Sequence, residues 1–133
     1  MDEIVVRIEA EVNFTENEGK VRKAVANIFD NVTMEVKSSS NGSILVGEAN
    51  GQESLFKFRR MLSLDRIRNA ARKVFFEGLR EKAIRFCLNK QVAFAGHVSF
   101  CEETAESPLG PLKITIECAE TALLIDWLAE RSA

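Results

Sequence analysis

The residues of this sequence that could do chemistry are mostly cations, and they are concentrated in one segment. Between residues 57 and 90 there are eleven Lys or Arg residues and three Asp or Glu residues, a local charge of +8. Because the whole chain has a net charge of −2, the remainder carries −10. A local excess of cations attracts polyanions such as RNA. The alternative is a solvated helical face, since Lys and Arg also favour helices.

One predicted helix in this segment combines cations with an aromatic ring. Its apolar stripe recurs at helical spacing and consists of Ile67, Ala70, Ala71, Val74 and Phe75. At about 100° per residue, the opposite polar sector contains Arg66, Asn69, Arg72, Lys73 and Phe76. Phe76 could stack on a base or mark a protein interface, or neighbouring structure could cover it. Two further candidate RNA contacts, Arg59 and Arg60, lie in the preceding helix.

A second candidate RNA-binding site lies at the end of a predicted strand. Asn89, Lys90 and Gln91 offer amide donors and acceptors and a cation, the groups that contact base edges, hydroxyls and phosphates. The alternative is a connection between two strands whose amides satisfy backbone groups of the loop. On spacing alone, the connection is favoured.

The sequence lacks the residue patterns that metal binding, cofactor binding and covalent catalysis require. The cysteines, Cys87, Cys101 and Cys118, have no CxxC spacing, and His97 is the single histidine, so a zinc site is not expected. His97 could activate Cys87 or Cys101, but small core cysteines and a surface histidine explain these residues better. No glycine-rich run ends in Gly-Lys-Ser/Thr, as a phosphate-binding loop would. We predict no metal, no cofactor and no catalytic residue.

Hydrophobic periodicity predicts the elements that position these residues. Residues 4–12 alternate as a half-buried strand, and Thr15 with Glu18 forms a capping box for the helix that follows. Residues 32–37 and 43–49 predict the two strands of a β-hairpin, because Asn41-Gly42 between them supplies the positive φ values of a tight reversal.

The same periodicity predicts the helices and strands of the basic segment and of the chain beyond it. Two helices in tandem are expected, the second capped by Ser63 and ending at a left-handed Gly78. Three strands follow at residues 84–88, 98–101 and 112–117. A terminal helix from about Glu120 has an apolar face of Leu123, Leu124, Trp127 and Leu128. The order βαββααβββα indicates an α+β fold, with helices packed on a largely antiparallel sheet in two layers.

Length and composition fit a single domain that spans residues 1–133. No apolar run approaches the roughly 20 residues that cross a bilayer, so no membrane span is expected. The acidic start, Met1-Asp2-Glu3, has the wrong charge for a signal peptide. We therefore expect a cytoplasmic protein.

Three stretches of the sequence carry a family resemblance: RIRNAARK at residues 66–73, LNKQVAF at 88–94 and ESPLGP at 106–111. Together they resemble an uncharacterised archaeal family described as predicted RNA-binding proteins associated with the exosome. The resemblance covers nearly the whole chain and implies a fold like that of the large-subunit ribosomal protein that binds 5S ribosomal RNA. Asn69 stands where the family tends to have an acidic residue, which makes this helix face more favourable for a polyanion.

Three functional hypotheses follow from these residues. The first is an RNA-binding protein of RNA processing or ribosome-related assembly that uses the basic helix face and the Asn89-Lys90-Gln91 turn. The second is a structural or assembly protein without direct RNA contact, which forms a homodimer or docks on a larger complex. In it, the basic segment pairs with the acidic loop of another subunit, near Glu102, Glu103 and Glu106. The third, ranked last, is an enzyme that uses cysteine or carboxylate chemistry.

Overall fold

Seven strands form one sheet in residues 3–40, 42–103 and 109–131, which are the residues that the computed structural model describes. The strands are β1 (Val5–Asn13), β2 (Thr33–Ser39), β3 (Gly42–Asn50), β4 (Leu79–Arg80), β5 (Ala83–Leu88), β6 (Phe100–Cys101) and β7 (Leu112–Glu117). Every pairing is antiparallel. The spatial order is β2-β3-β1-β7-β5-β4. Strand β6 also pairs with β5 but is not part of this linear order.

Strand β1 occupies the middle of the sheet and sets its two faces. It pairs with β3 along its whole length and, on its other side, with β7. Its alternate residues Val6, Ile8, Ala10 and Val12 are buried, while Arg7 and the acidic residues between them are exposed. One face of the sheet is therefore apolar and the other is charged, as a period of two residues requires.

The described residues also contain five α-helices and one 3-10 turn. The helices are α1 (Glu18–Ile28), α2 (Phe56–Leu64), α3 (Arg68–Glu77), α4 (Lys90–Phe94) and α5 (Thr121–Leu128), and the 3-10 turn, Gln52–Leu55, leads into α2. Aromatic rings join the helices to the sheet: Phe58 of α2 and Phe75 of α3 pack on Phe86 of β5, with ring centroids 5.7 and 5.1 Å from that of Phe86. No helix among the described residues is long and apolar enough to cross a membrane.

This architecture confirms the predicted α+β class, the antiparallel sheet and the order of the main elements. Strand β4 and helix α4 are short additions that the periodicity did not indicate. Five residues or fewer contain too little of a repeat for a pattern to identify them.

The start of α1 differs from the predicted capping box. Asn17, not Thr15, is the N-cap, and its side chain accepts a hydrogen bond from Lys20 N at 3.2 Å. Asparagine ranks at least as high as threonine at this position. The β2–β3 hairpin is also tighter than predicted, because the strands extend to Ser39 and Gly42. Asn41, which the turn prediction includes, lies outside the described residues.

Two predicted details of the helices are wrong. Gly78 ends α3 with a φ of −92°, so it is not left-handed. Glycine is required there because a Cβ atom would lie 1.8 Å from Arg85 O on β5. In α5, Ile125 is buried and Leu123 is 55% exposed, so the buried stripe is rotated from the predicted one.

Candidate nucleic-acid interface

Arg66 lies at the junction between α2 and α3, in a Schellman-type helix ending. The Ile67 N–H donates to Leu62 O at 3.1 Å, and the Arg66 N–H donates to Ser63 O at 3.2 Å. This pair of bonds closes many helices. Ser63, predicted to cap the next helix, therefore belongs to the end of α2. Arg66 has a φ of +57°, the conformation that glycine usually takes at this position, and its side chain is exposed.

Helix α3 turns three of the predicted contacts away from the sheet. Its buried residues are Ala71 and Phe75. Asn69, Lys73 and Phe76 lie on the opposite side of the helix and are exposed, and 46% of Phe76 is accessible. This surface presents an amide, an ammonium group and part of an aromatic ring to solvent. We call it, together with Arg66, the α3 face.

Two other predicted contacts, Arg59 and Arg72, hold the C-terminal end of α5. Arg59 Nε donates to Trp127 O at 2.8 Å, and its guanidinium carbon lies 5.3 Å from the centroid of the Trp127 ring. Arg72 Nη1 bonds to Asp126 Oδ1 at 2.7 Å and to Ala129 O at 3.2 Å. The last carbonyls of a helix lack intrahelical donors and lie at the negative end of its dipole. These two guanidinium groups supply α5 with the missing donors and with positive charge at that end.

More of the basic segment serves backbone carbonyls in the same way. Lys57 Nζ donates to Ala26 O near the end of α1, at 2.7 Å. Arg80 Nη1 donates to Glu77 O at 3.1 Å and to Leu79 O at 2.8 Å. The charge of +8 therefore includes cations whose donors are already used within the fold.

Three cations of α2, α3 and their junction are not used in this way. The side chains of Arg60, Arg66 and Lys73 are exposed and form no hydrogen bond or ion pair with any residue that the structure describes. Arg68 is nearby and lies 4.0 Å from Glu130, the outer limit of an ion pair. Phosphates could contact each of these unpaired cations without breaking an existing bond.

The predicted site at residues 89–91 is the first turn of α4. Asn89 is the N-cap, and its Oδ1 accepts from Val92 N at 3.0 Å. Lys90 is 5% exposed, whereas Gln91 is exposed. Of these three predicted contacts, only Gln91 presents its side chain to solvent without an internal role. The structure does not bring the triplet together as one accessible surface.

Lys90 Nζ is instead the centre of a buried ion pair. It lies 3.1 and 3.2 Å from the carboxylate oxygens of Glu16 and donates to Glu11 O at 2.7 Å and Leu109 O at 2.6 Å. The Glu16 side chain is 8% exposed. Its Oε1 also accepts from Asn13 N at 3.0 Å. A buried charge needs such a complete set of partners.

The outer face of the sheet offers less attraction for a polyanion. Its exposed or half-exposed charges along β1 to β3, β5 and β7 are mixed: Arg7, Lys37, Arg85 and Lys113 against Glu9, Glu11, Glu35, Glu48 and Glu117. Arg7 bonds to both Glu48 and Glu117, and the bond to Glu117 raises its pKa. Acidic side chains thus compensate Arg7, and on this face they outnumber the cations by five to four.

The cysteines show no sign of activation. Cys87 and Cys101 lie opposite each other on β5 and β6. Partial burial, with a smaller effect of Cys101, raises the pKa of the Cys87 thiol to about 11. Burial also raises the pKa of Cys101. His97 Nδ1 lies 3.5 Å from Asp65 Oδ1. Within the described ranges, no group of three or more His, Cys, Asp or Glu residues could hold a metal ion.

Known proteins share both the sequence and the fold. Residues 5–118 match a family model described as RNA binding. A UPF0201 protein of Sulfurisphaera tokodaii is 44% identical over 126 residues, which are 95% of this chain and 87% of that protein. A UPF0201 protein of Pyrobaculum islandicum is 44% identical over 130 residues, covering 96% of this chain and 91% of the relative.

Solved structures extend the likeness. The crystal structure of a UPF0201 protein from Methanococcus jannaschii has a TM-score of 0.81 and 29% identity, covering 96% of this chain and 99% of that one. A DUF54 protein from Methanothermobacter thermautotrophicus, at 17% identity and a TM-score of 0.66, covers 97% and 100% and shows the fold alone. The helices pack on one face of an open antiparallel sheet, and some of them carry exposed cations. This arrangement defines the class of the protein as a small two-layer α+β domain. Within that class, the chain belongs to the archaeal UPF0201 proteins and to the family whose model is described as RNA binding.

Replacing Lys90 tests its internal role. Lys90→Ala should lower the free energy of unfolding by about 3–5 kcal/mol, because the buried Glu16 carboxylate loses its counter-charge. Urea unfolding followed by circular dichroism measures the change. Gln91→Ala, at the next and exposed position, is the control and should change stability by less than about 0.5 kcal/mol. A Lys90→Ala protein as stable as the unmodified chain would contradict this role.

The pKa of Cys87 predicts the pH dependence of its alkylation. A thiol with a pKa of about 11 has on the order of a hundredfold less thiolate at pH 8 than an ordinary cysteine. Modification by iodoacetamide, followed by peptide mass spectrometry, should therefore still accelerate between about pH 9.5 and 10.5. A short unstructured peptide with one cysteine, treated in parallel, should level off over that interval. The same levelling at Cys87 would show that its pKa is not raised.

Proposed function

We propose that this protein binds RNA through the α3 face and Arg60 of the adjoining α2. One observation carries the proposal: Arg66 and Lys73 are exposed and have no side-chain partner in the described part of the chain. Lys73 lies on the helix side that also carries Phe76, and Arg66 lies two residues before the start of α3. Unpaired cations gain most from a phosphate, because they give up no protein contact to bind it. Membership of a family described as RNA binding supports RNA as the polyanion.

The helix layer is a better candidate than the open face of the sheet. The exposed aromatic side chains are Phe14, Phe56 and Phe76, and none belongs to a strand. Proteins that bind RNA on a sheet stack bases on aromatic residues of its strands. The outer face here instead carries the carboxylates of Glu9 and Glu11 beside its cations.

The composition of the α3 face favours RNA with unpaired bases. The Arg72 guanidinium carbon lies 5.3 Å from the centroid of the Phe76 ring, so the ring is supported by a cation while almost half of the residue stays exposed. An exposed ring can stack on any base, but only where that base is not already stacked in a duplex. We therefore infer that single-stranded and loop regions are the preferred ligands.

Charge reversal on the α3 face tests the proposal. Arg66→Glu with Lys73→Glu should weaken binding to a single-stranded RNA oligonucleotide and reduce the slope of log K against log salt by about 1.4. That value is two lost phosphate contacts at about 0.7 each for a single strand. Fluorescence anisotropy between 25 and 200 mM salt measures both quantities.

A matched control separates contact from overall charge. Lys82→Glu with Arg85→Glu makes the same change in net charge at exposed positions in the β4–β5 hairpin. It should leave the slope almost unchanged. Equal losses in both double variants would show that RNA responds only to total charge. Loss in the hairpin variant alone would move the binding surface away from the α3 face.

Phe76 tests the stacking contribution. Phe76→Ala should reduce affinity for the same RNA by about 1–3 kcal/mol without changing the salt slope, because stacking releases no counterions. Phe14→Ala is the control, since Phe14 is 81% exposed in the loop after β1. Equal affinities of the two variants for RNA would leave Phe76 without a role in binding.

We extend the proposal to a cytoplasmic role in RNA processing or ribosome-related assembly, which rests on the family resemblance. In that setting Arg66 and Lys73 contact RNA, and the remaining surface is available to protein partners. Purification of the tagged protein with and without ribonuclease distinguishes partners held through RNA from partners held by direct contact.

A further inference from the structure

Strand β2 is a long and regular edge of the sheet. It pairs with β3 without interruption from Thr33 opposite Glu48 to Ser39 opposite Gly42, and it contains no proline. Among the described residues, no strand pairs with its other side. Such an edge presents backbone N–H and C=O groups to any strand that can align with it. The opposite edge of the sheet ends in β4, which has only two residues.

The side chains of β2 favour a second copy of β2 as the occupant of this edge. Glu35 and Lys37 lie two positions apart on the exposed face of the strand, with Val36 between them on the half-buried face. If a two-fold axis passes beside Val36, Glu35 of each copy lies opposite Lys37 of the other. The same alignment places Thr33 opposite Ser39, so all seven residues of the strand are paired.

Neighbouring symmetric alignments lack this complementarity. Side chains that lie directly opposite each other point to the same face, so a two-fold axis perpendicular to the sheet must pass beside a residue. An axis beside Glu35 places the two Glu35 carboxylates opposite each other, and an axis beside Lys37 does the same for the two ammonium groups. Like charges in these positions are destabilising. Both alignments also pair fewer residues.

We propose that two copies of this chain associate through β2, with the two-fold axis beside Val36, and form one continuous antiparallel sheet. Because the axis is perpendicular to the sheet, the helices of both copies lie on the same side. The two Val36 side chains meet on that side. A pair of seven-residue strands is a small contact, well below the roughly 1,600 Å² of a standard interface. The dimer is therefore reversible and depends on concentration.

Two single variants and their mixture test the alignment. Glu35→Lys places lysines opposite Lys37, and Lys37→Glu places glutamates opposite Glu35, so each variant should raise the dimer Kd by at least about tenfold. When the two variants are mixed, the charges become complementary again and a heterodimer should form. Sedimentation equilibrium over micromolar to millimolar protein, without RNA, measures these constants against the 14.9 kDa chain.

Controls keep the outcomes distinct. Lys82→Glu changes net charge as Lys37→Glu does, but at the other end of the sheet, and should leave the dimer Kd unchanged. Circular dichroism verifies the fold of each variant, whose altered residues are exposed in the monomer. An unmodified chain that stays monomeric at millimolar concentration would overturn the proposal. Single variants that dimerise normally, or a mixture that stays monomeric, would overturn it equally.

Discussion

The buried ion pair between Lys90 and Glu16 is the constraint that fixes how the segments of this fold meet. One ammonium group bonds to the start of the α1 region through Glu16, to the end of β1 through Glu11 O, and to the segment before β7 through Leu109 O. Lys90 itself begins α4, so four segments converge on a single cation. Removing two charges from water costs several kcal/mol per ion, and only a full set of partners offsets that cost. The pair therefore tolerates little displacement of any of the four segments, and it specifies their arrangement more than it adds to stability.

Helix ends impose a second demand on the cations of this chain. Short helices leave a large fraction of their carbonyls without intrahelical donors. Arg59 and Arg72 supply donors to α5, Lys57 supplies one to α1, and the amide of Asn27 bonds to Ala93 O and Phe94 O at the end of α4. Part of the basic segment in this small α+β domain therefore serves to cap helix ends. The cations that remain for a polyanion are those that bond to no helix end and to no carboxylate among the described residues.

The difference between cations that cap helix ends and cations that stay unpaired explains how much of the fold and of the candidate site the sequence could predict. The α+β order follows from apolar periodicity, which burial enforces directly, so β1, α1 and α3 lie where the pattern places them. The role of a cation depends on which carbonyl or carboxylate is near it in space, and no local pattern records that. The prediction that Lys73 is exposed on the polar side of a helix is confirmed. Arg66 is exposed as well, but it lies at the junction before α3 and not on the helix. Lys90 has the same local appearance, yet its carboxylate partner is 74 residues away in the chain.

The non-glycine residues with a positive φ in the described part of the chain are Asn31, Arg66 and Glu81, and Arg66 is the one with a cationic side chain. With a φ of +57°, the residue adopts a conformation that costs a non-glycine residue roughly 1–2 kcal/mol. Glycine would close the Schellman ending of α2 without that cost, because the two backbone bonds that define the ending need no side chain. The arginine side chain forms no hydrogen bond or ion pair with any described residue. Its charge therefore contributes nothing visible to the stability of the monomer. A residue that is locally unfavourable and structurally unused is where a strained backbone most reasonably reflects a function outside the fold, and a guanidinium at the start of the α3 face is suited to bind a phosphate.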